Sequence, residues 1–148
     1  MILFRISLEK HVGLNSSGAE NRWNKLGEFV IYAGGSRSLS TLELVVHRDS
    51  IRTKETYKVM QLFIPDDPTL ITQISISDLP RDWRTRGAYS NLQNIGSNWY
   101  QSRTSLILQV PSAIIPQEFN YIINTQHPLF SFVQHVNTED FFWDNRLM

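Results

Sequence analysis

Alternating apolar and polar positions, together with short apolar runs, predict six β-strands in this chain. Side chains on a strand point to opposite faces in turn, so a strand with one buried face shows an apolar residue at every second position. Runs of this kind are rich in Val, Ile, Leu, Tyr and Phe here, and Gly, Pro, Asn or Ser often bounds them. The predicted strands are residues 2–8, 29–33, 57–64, 105–110, 119–124 and 130–136.

Two stretches with helical spacing are predicted as α-helices. In residues 36–48, leucine and valine recur at the three- to four-residue spacing of one helix face. Residues 90–103 also favour a helix, although Gly96 is expected to interrupt it. Because strands and helices do not alternate strictly, we predict a single α+β domain over residues 1–148, with mainly antiparallel or mixed strand pairing.

Three stretches lack periodicity and are predicted to be irregular. Residues 11–25 are rich in Gly, Ser and Asn, and a loop of this length inside a compact domain is often functional. Residues 66–86 form a second loop, with a short strand at residues 72–77. The aromatic residues 141–143 are expected to pack against the rest of the domain.

Composition is typical of a folded protein and argues against several functions. The chain has 148 residues, of which 41% are hydrophobic and 19% charged. Its formal net charge is zero, which argues against direct nucleic-acid binding by bulk electrostatics. It has no cysteine, so disulfides, thiolate nucleophiles and cysteine-ligated metals are excluded.

The distribution of apolar and histidine residues gives further expectations. Only three apolar residues separate Met1 from Arg5, which argues against a signal peptide, and no apolar run approaches the roughly 20 residues of a membrane span. A cytoplasmic protein without membrane contact is therefore expected. The four histidines lie far apart in sequence, so we predict no metal site.

Glu43 is the first candidate for chemistry. Helical spacing places it at the edge of the apolar stripe of the first helix, where a carboxylate is partly desolvated and can act as an acid, a base or a ribose-binding group. The alternative is structural, because Ser40-Thr41-Leu42-Glu43 matches a capping box. Ser36 and Ser38 are equally available as caps, which would place Glu43 in the helix body.

Arg22 and Tyr32 are candidates from the neighbouring loop and strand. Arginine presents a planar fork that binds phosphate or carboxylate through two hydrogen bonds, but a solvated loop arginine is the commoner case. Tyr32 ends a predicted strand beside Gly34-Gly35, where an aromatic ring can stack on a ligand or simply fill the core.

Ser112 and Asn120 are candidates much later in the chain. Ser112 follows the most apolar strand without the G-x-S-x-G pattern of a hydrolase nucleophile, so a hydrogen-bonding role is favoured over a nucleophilic one. Asn120 is expected to face the same pocket, with a turn or strand-edge asparagine as the alternative. Arg81, Arg84 and Arg86 surround Trp83, and Asp78 and Asp82 offset their charge, which favours a solvated loop.

The order of these residues resembles the RES domain family, named for an arginine, a glutamate and a serine. The three would be Arg22, Glu43 and Ser112 here, and the match runs through nearly the whole chain. One departure is that Glu20-Asn21 stands where Gly-Gly commonly precedes the family's arginine. The residues that carry the resemblance are Gly18-Ala19, Arg22-Trp23-Asn24, Gly27, 30–33, Ser38-Leu39, Leu42-Glu43, Val46-His47, Gly96, Trp99, Ser102, 108–112, 118–124, His127-Pro128, Phe142, Asp144 and Arg146-Leu147.

The resemblance implies a toxin of a bacterial toxin–antitoxin pair, with a fold similar to that of ADP-ribosyltransferase toxins. Its substrate would be NAD, consumed by hydrolysis or phosphorolysis of the nicotinamide–ribose bond or by ADP-ribosyl transfer to a protein. NAD would be a substrate, and no cofactor is implied. The implied partner is an Xre-type helix-turn-helix antitoxin, through which any contact with DNA would be made. Homo-oligomerisation within that complex stays open.

The resemblance also assigns roles, as hypotheses. Arg22, Glu43 and Ser112 would be catalytic, and Arg5, Asn24, Tyr32 and Asn120 would bind the substrate. The arginines would hold the pyrophosphate, Tyr32 would stack on nicotinamide, and Glu43 would bind the ribose or stabilise its cation. Ser112 and Asn120 would orient nicotinamide or ribose. The alternative is a non-catalytic binding domain with the same fold, against which the retained Arg22, Glu43 and Ser112 argue.

Overall fold

One seven-stranded sheet carries the domain. The structure is a computed structural model, and it describes residues 1–47, 51–52 and 54–147. Within these residues the chain forms seven strands and two α-helices. They are β1 (Ile2–Leu8), β2 (Val30–Gly34), α1 (Arg37–Val46), β3 (Tyr57–Phe63), β4 (Ile71–Gln73), α2 (Tyr89–Ser102), β5 (Ile107–Pro111), β6 (Phe119–Asn124) and β7 (Gln134–Asp140).

The sheet is mixed, as predicted. Its strand order is β4-β5-β6-β2-β1-β3-β7, and every neighbouring pair is antiparallel except the parallel β4 and β5. β1 pairs with β3 along its whole length but with β2 only at Phe4 and Gly34. The two strands at the centre of the sheet are therefore joined at one point, which leaves room for side chains between them.

Alternation along the central strands divides the core into two clusters. Ile107 and Ile123 belong to the cluster around Leu3, Ile31, Met60 and Leu62. Their sequence neighbours Leu108 and Ile122 belong to the other, which α2 covers with Leu92 and Trp99. Because successive side chains point to opposite faces, β5 and the second half of β6 contribute to both clusters. The side chains of Ile107, Leu108, Ile122 and Ile123 are completely buried.

The start of α1 decides between the two interpretations of Glu43. Ser36 is the N-cap, and its hydroxyl accepts a hydrogen bond from the Leu39 amide at 3.0 Å. The Ser40 hydroxyl instead donates to the Phe4 carbonyl at 2.9 Å, which ties α1 to β1. Glu43 is therefore in the helix body, and the capping-box alternative is wrong. The predicted last residue of this helix, Arg48, lies outside the described residues.

Two predictions about local structure are wrong. The predicted strand at residues 130–136 is a 3₁₀ turn at Phe130–Phe132 followed by β7, which begins at Gln134. Gly96 does not interrupt α2. A Cβ there would lie 1.6 Å from the Trp23 carbonyl oxygen, so glycine is required because the 18–25 loop packs directly on the helix.

The remaining predicted segments need smaller adjustments. The short strand in the second loop is β4 at Ile71–Gln73, and a 3₁₀ turn at Ile76–Asp78 follows it. In the tail, Phe141 and Trp143 pack edge-to-face with Tyr57, as expected. Phe142 between them is 82% exposed, so the expectation fails for that residue.

Candidate active site

Two adjacent cavities lie where β1 and β2 separate and α1 crosses them. The first has a volume of about 190 Å³ and includes Phe4, Arg5 and Gly34 in its lining. The second, of about 90 Å³, includes Arg22 and Tyr89. Five residues line both cavities: Asn21, Tyr32, Glu43, His47 and Asn120.

Glu43 is held by two side chains through one of its two carboxylate oxygens. Oε1 accepts hydrogen bonds from Ser112 Oγ at 2.9 Å and from Asn120 Nδ2 at 2.6 Å. Among the described residues, the carboxylate forms no hydrogen bond through Oε2. The side chain is half-buried and lines both cavities, so this second oxygen is available to a ligand.

Ser112 donates to Glu43 and lines neither cavity. It is completely buried, and its hydroxyl oxygen also accepts hydrogen bonds from the amides of Ile114 and Ile115, both at 3.1 Å. These bonds leave the hydroxyl hydrogen pointing at Glu43 Oε1. The expected direct contact of Ser112 with nicotinamide or ribose does not fit this geometry, because the serine is buried behind the carboxylate.

Asn120 joins the carboxylate to the sheet. It lies on β6, where its backbone pairs with Gly34 of β2 and Val110 of β5. Its side chain lines both cavities as well as donating to Glu43. The structure therefore brings Glu43, Ser112 and Asn120 into one hydrogen-bonded group across about half of the sequence.

Two arginines flank this group, one in each cavity. Arg5 Nη1 donates to the Tyr32 carbonyl at 3.0 Å, and burial lowers the pKa of Arg5, which stays charged. Arg22 Nη1 donates to the Trp83 carbonyl at 3.1 Å. Neither arginine forms an ion pair with a carboxylate of the described residues. Both cations are therefore available to an anionic ligand.

Tyr32 links the two arginine-bearing segments. Its carbonyl accepts from Arg5, and its hydroxyl accepts from the Trp23 amide at 3.1 Å, next to Arg22. The hydroxyl also donates to Asn24 Oδ1 at 2.6 Å. Burial raises the pKa of Tyr32, so the phenol keeps its proton at any physiological pH and is a hydrogen-bonding group there.

Asn24 does not line either cavity, which differs from its predicted role in substrate binding. It is 1% exposed, and its Nδ2 lies within hydrogen-bond distance of the carbonyls of Ala19, Lys25 and Glu28. Together with its bond from Tyr32, these contacts occupy the whole amide. Asn24 therefore shapes the loop that presents Arg22.

Three polar or aromatic cavity residues are not among the sequence's candidates for chemistry, namely Asn21, His47 and Tyr89. His47 follows Glu43 by one helical turn, so the spacing of four residues could have indicated that both face one side. Asn21 stood out only as a departure from the glycine pair of the family pattern. Tyr89 carries no local signal, because it reaches the cavity from the first turn of α2, which is distant in sequence.

Comparison with models of protein families identifies the family of this chain. A family model described as the RES domain matches residues 3–144 of the chain. The chain belongs to the RES domain family. The site residues Arg5, Arg22, Glu43, Ser112 and Asn120 all lie within the matched part.

Curated relatives of this RES domain chain are toxins by name. The "Toxin Res" of Yersinia enterocolitica is 33% identical over 153 residues, which cover 99% of each chain. The "Toxin Res" of Photorhabdus laumondii is 32% identical and covers 100% of this chain and 97% of its own. The "Prs ADP-ribosylating toxin" of a Sphingobium species is 31% identical over 91% of this chain and 86% of its own.

A solved structure shares the fold. A chain of the M. tuberculosis MbcT–MbcA toxin–antitoxin complex superposes with a TM-score of 0.77 at 17% identity, over 95% of this chain and 83% of that one. Within the described part of this chain, no helix has the length and apolar character needed to cross a membrane. The same residues contain no cluster of three or more His, Asp or Glu side chains that could hold a metal ion.

Proposed function

We propose that this RES domain protein is the toxin of a toxin–antitoxin pair and cleaves the nicotinamide–ribose bond of NAD. The observation that carries the proposal is the Glu43 carboxylate, which lines both cavities and has one oxygen fixed by Ser112 and Asn120. Arginines on both sides of it suit a ligand with phosphate groups on a sugar. The toxin names of its curated relatives support the biological role.

The site suits the charge changes of this reaction. Nicotinamide leaves NAD as a neutral molecule, since the electron pair of the broken C–N bond cancels the charge of the ring nitrogen. Positive charge then develops on the ribose, as in the oxocarbenium-like state of glycoside hydrolysis. A carboxylate held in place before the reaction stabilises this charge without reorganising. Water or phosphate then bonds to the ribose carbon and completes the reaction, and a water nucleophile releases its extra proton.

A test of this proposal follows both the substrate and the products. The protein, made in a cell-free system, is incubated with labelled NAD, with and without phosphate. A further mixture contains cell lysate as a source of acceptor proteins. Hydrolysis gives free ADP-ribose, and phosphorolysis gives ADP-ribose-1″-phosphate only when phosphate is present. NAD that stays intact in every mixture, lysate included, would overturn the proposal.

Glu43→Gln is the matched variant for this test. The glutamine side chain has the same size, and its carbonyl oxygen can accept the bonds from Ser112 and Asn120. Only the negative charge facing the cavity is lost. We expect turnover to fall by about 100-fold to 1,000-fold, the effect of removing one preorganised electrostatic group, while the fold is retained.

ADP-ribosyl transfer to a protein is the second candidate. It is favoured by the relative named as a Prs ADP-ribosylating toxin, which is 31% identical to this chain. The same cavity would serve, because a protein side chain would replace water as the acceptor. A labelled protein band in the lysate mixture, formed in place of soluble ADP-ribose, would select this reaction.

The partner proposed for the toxin is an Xre-type helix-turn-helix antitoxin. The fold neighbour comes from a toxin–antitoxin complex, and the chain's zero net charge suits a protein that contacts DNA only through its partner. Coexpression with a helix-turn-helix protein encoded beside this gene is expected to restore growth and yield a complex. If cells that express the chain alone grow normally and keep their NAD, the proposal that it acts as a toxin in the cytoplasm is contradicted.

A further inference from the structure

Residues 83–89, which lead into α2 and include its first residue, contact the guanidinium of Arg22 at two points. Its Nη1 donates to the Trp83 carbonyl at 3.1 Å, and its Cζ lies 4.8 Å from the centre of the Tyr89 ring. This distance is within the range in which a cation is attracted to an aromatic face. Tyr89 and Arg22 both line the second cavity.

The supports for Arg22 are themselves fixed. Trp83 is 5% exposed and belongs to the second core cluster. Arg84, the next residue, donates through Nε to the Ala113 carbonyl at 2.7 Å, and Ala113 also lines the second cavity. Ala88, just before Tyr89, is 1% exposed. The segment is therefore anchored at both ends, and Tyr89 offers a rigid surface.

We propose that Tyr89 is a positioning residue that fixes the Arg22 guanidinium for binding a phosphate group of the ligand. Nη1 is used by the Trp83 carbonyl, which leaves the Nε and Nη2 donors for the second cavity. An arginine side chain has many rotamers, and holding its plane against a ring removes this freedom before the ligand arrives. The inference deepens the proposed function and rests on it for the identity of the ligand.

The kinetic test compares two substitutions of Tyr89. Tyr89→Phe keeps the aromatic face, and Tyr89→Leu removes it. Phosphate binding by Arg22 contributes equally to substrate and transition state, so we expect Tyr89→Leu to raise the KM for NAD about tenfold, with kcat within about twofold of wild type. Tyr89→Phe should restore the wild-type KM. A merely structural role would instead lower the active fraction, and so kcat, at an unchanged KM.

Two controls separate Tyr89 from the helix around it. Tyr100→Leu removes another tyrosine of α2, whose hydroxyl accepts from the Phe29 amide and which lines neither cavity. Its KM should equal that of wild type. In an Arg22→Ala background, Tyr89→Leu should change KM by less than about 1.5-fold, because the residue through which Tyr89 acts is gone. Additive effects of the two substitutions would overturn the inference.

A binding measurement separates this inference from the proposed reaction. Titration calorimetry with inorganic pyrophosphate is expected to show about tenfold weaker binding to Tyr89→Leu than to wild type or Tyr89→Phe. If this order holds while wild-type protein leaves NAD intact, the proposed reaction fails and the positioning role stands. If Tyr89→Leu binds pyrophosphate as wild type does, or wild type does not bind it, the positioning role is wrong.

Discussion

The Glu43 carboxylate shows how one side chain acquires its role from residues far away in sequence. Ser112 is 69 residues away and Asn120 is 77 residues away, yet both donate to the same oxygen. A carboxylate with two donors on one oxygen is held in a single orientation, with its other oxygen directed away from them. The site therefore has a fixed negative group before any ligand binds.

Ser112→Ala tests whether the serine acts by orienting Glu43. The alanine variant removes one of two donors to the carboxylate, so we expect kcat for NAD consumption to fall about tenfold to 100-fold, less than in Glu43→Gln. The buried serine also accepts from two backbone amides, and their lost acceptor should reduce the free energy of unfolding by about 1–3 kcal/mol. Kinetics and urea unfolding measure the two effects.

Ser97→Ala is the matched control for Ser112→Ala. Ser97 is also a buried serine that donates to a glutamate, here Glu28 Oε2 at 2.7 Å, and neither residue lines a cavity. We expect a comparable loss of stability with kcat nearly unchanged. If folded Ser112→Ala protein is as inactive as Glu43→Gln, the serine has a more direct part in the reaction than orienting Glu43.

The sequence could predict which polar residues matter here but not what each contacts. Arg22, Glu43, Ser112 and Asn120 were all singled out, because their order in the chain resembles that of a known family. Their hydrogen bonds could not be derived, since they depend on how α1 packs on β1 and β2 and so brings Glu43 to Ser112 and Asn120. Asn24 shows the limit, because a buried amide that shapes a loop and one that contacts a ligand look alike in sequence.

At the level of elements, the strands with two buried faces or one clear apolar face were predictable. β6 begins and ends at the predicted residues, and β1 does so too. The bounds of β7 were not predictable, because it is an edge strand whose side chains are polar and mostly exposed. Its pairing with β3 also contains a register shift. The 3₁₀ turn before it is held by local backbone bonds, such as that from Phe130 to His127, which leave no periodic pattern.

Gly96→Ala tests the contact between the 18–25 loop and α2. Alanine favours a helix interior by about 1 kcal/mol over glycine. The added Cβ would, however, lie 1.6 Å from the Trp23 carbonyl oxygen, so the loop must move away from the helix. Because overpacking costs about 1–3 kcal/mol, we expect a net loss of stability in urea unfolding. We also expect a raised KM for NAD, since Arg22 precedes Trp23.

Gly87→Ala is the control for this substitution. The nearest atom to a Cβ at position 87 is Thr85 Oγ1 at 3.6 Å, which is an ordinary contact. We therefore expect stability within about 0.5 kcal/mol of wild type and an unchanged KM. An equal KM for Gly96→Ala and Gly87→Ala would show that the loop's position on α2 does not govern Arg22.

On the scale of the whole molecule, the site lies where the two halves of the sheet meet. β1, β3 and β7 form one half, and β4, β5, β6 and β2 form the other. Because β1 and β2 pair at a single residue pair, they leave an opening, which the first cavity occupies. α1 lies across this opening, and its Ser40 hydroxyl donates to the Phe4 carbonyl of β1. No sequence pattern marks this opening, because strand alternation is the same in paired and unpaired strands.

The first half of the sheet is also joined to α1 through the half-buried carboxylate of Glu139, which makes part of the protein's stability depend on pH. Glu139 of β7 accepts hydrogen bonds from Arg37 at the start of α1 and from Gln61 of β3. The bond from Arg37 is the main reason why the pKa of Glu139 is below its ordinary value of 4.5. A carboxylate with a lowered pKa stabilises the fold above its unfolded-state pKa, and this contribution is lost as pH falls through the folded-state value.

We therefore expect the free energy of unfolding to decline below about pH 4.5, and to decline less steeply in Glu139→Gln, which has no proton to gain there. Urea unfolding at a series of pH values from about 7 to 3 measures both slopes. Asp67→Asn is the control, because the pKa of Asp67 is also lowered but by Thr69 within its own turn. In Asp67→Asn, the free energy of unfolding should lose only the part of its pH dependence that comes from Asp67. The part that comes from Glu139 should remain. A wild-type slope in Glu139→Gln would mean that the Arg37 contact does not couple α1 to the edge of the sheet.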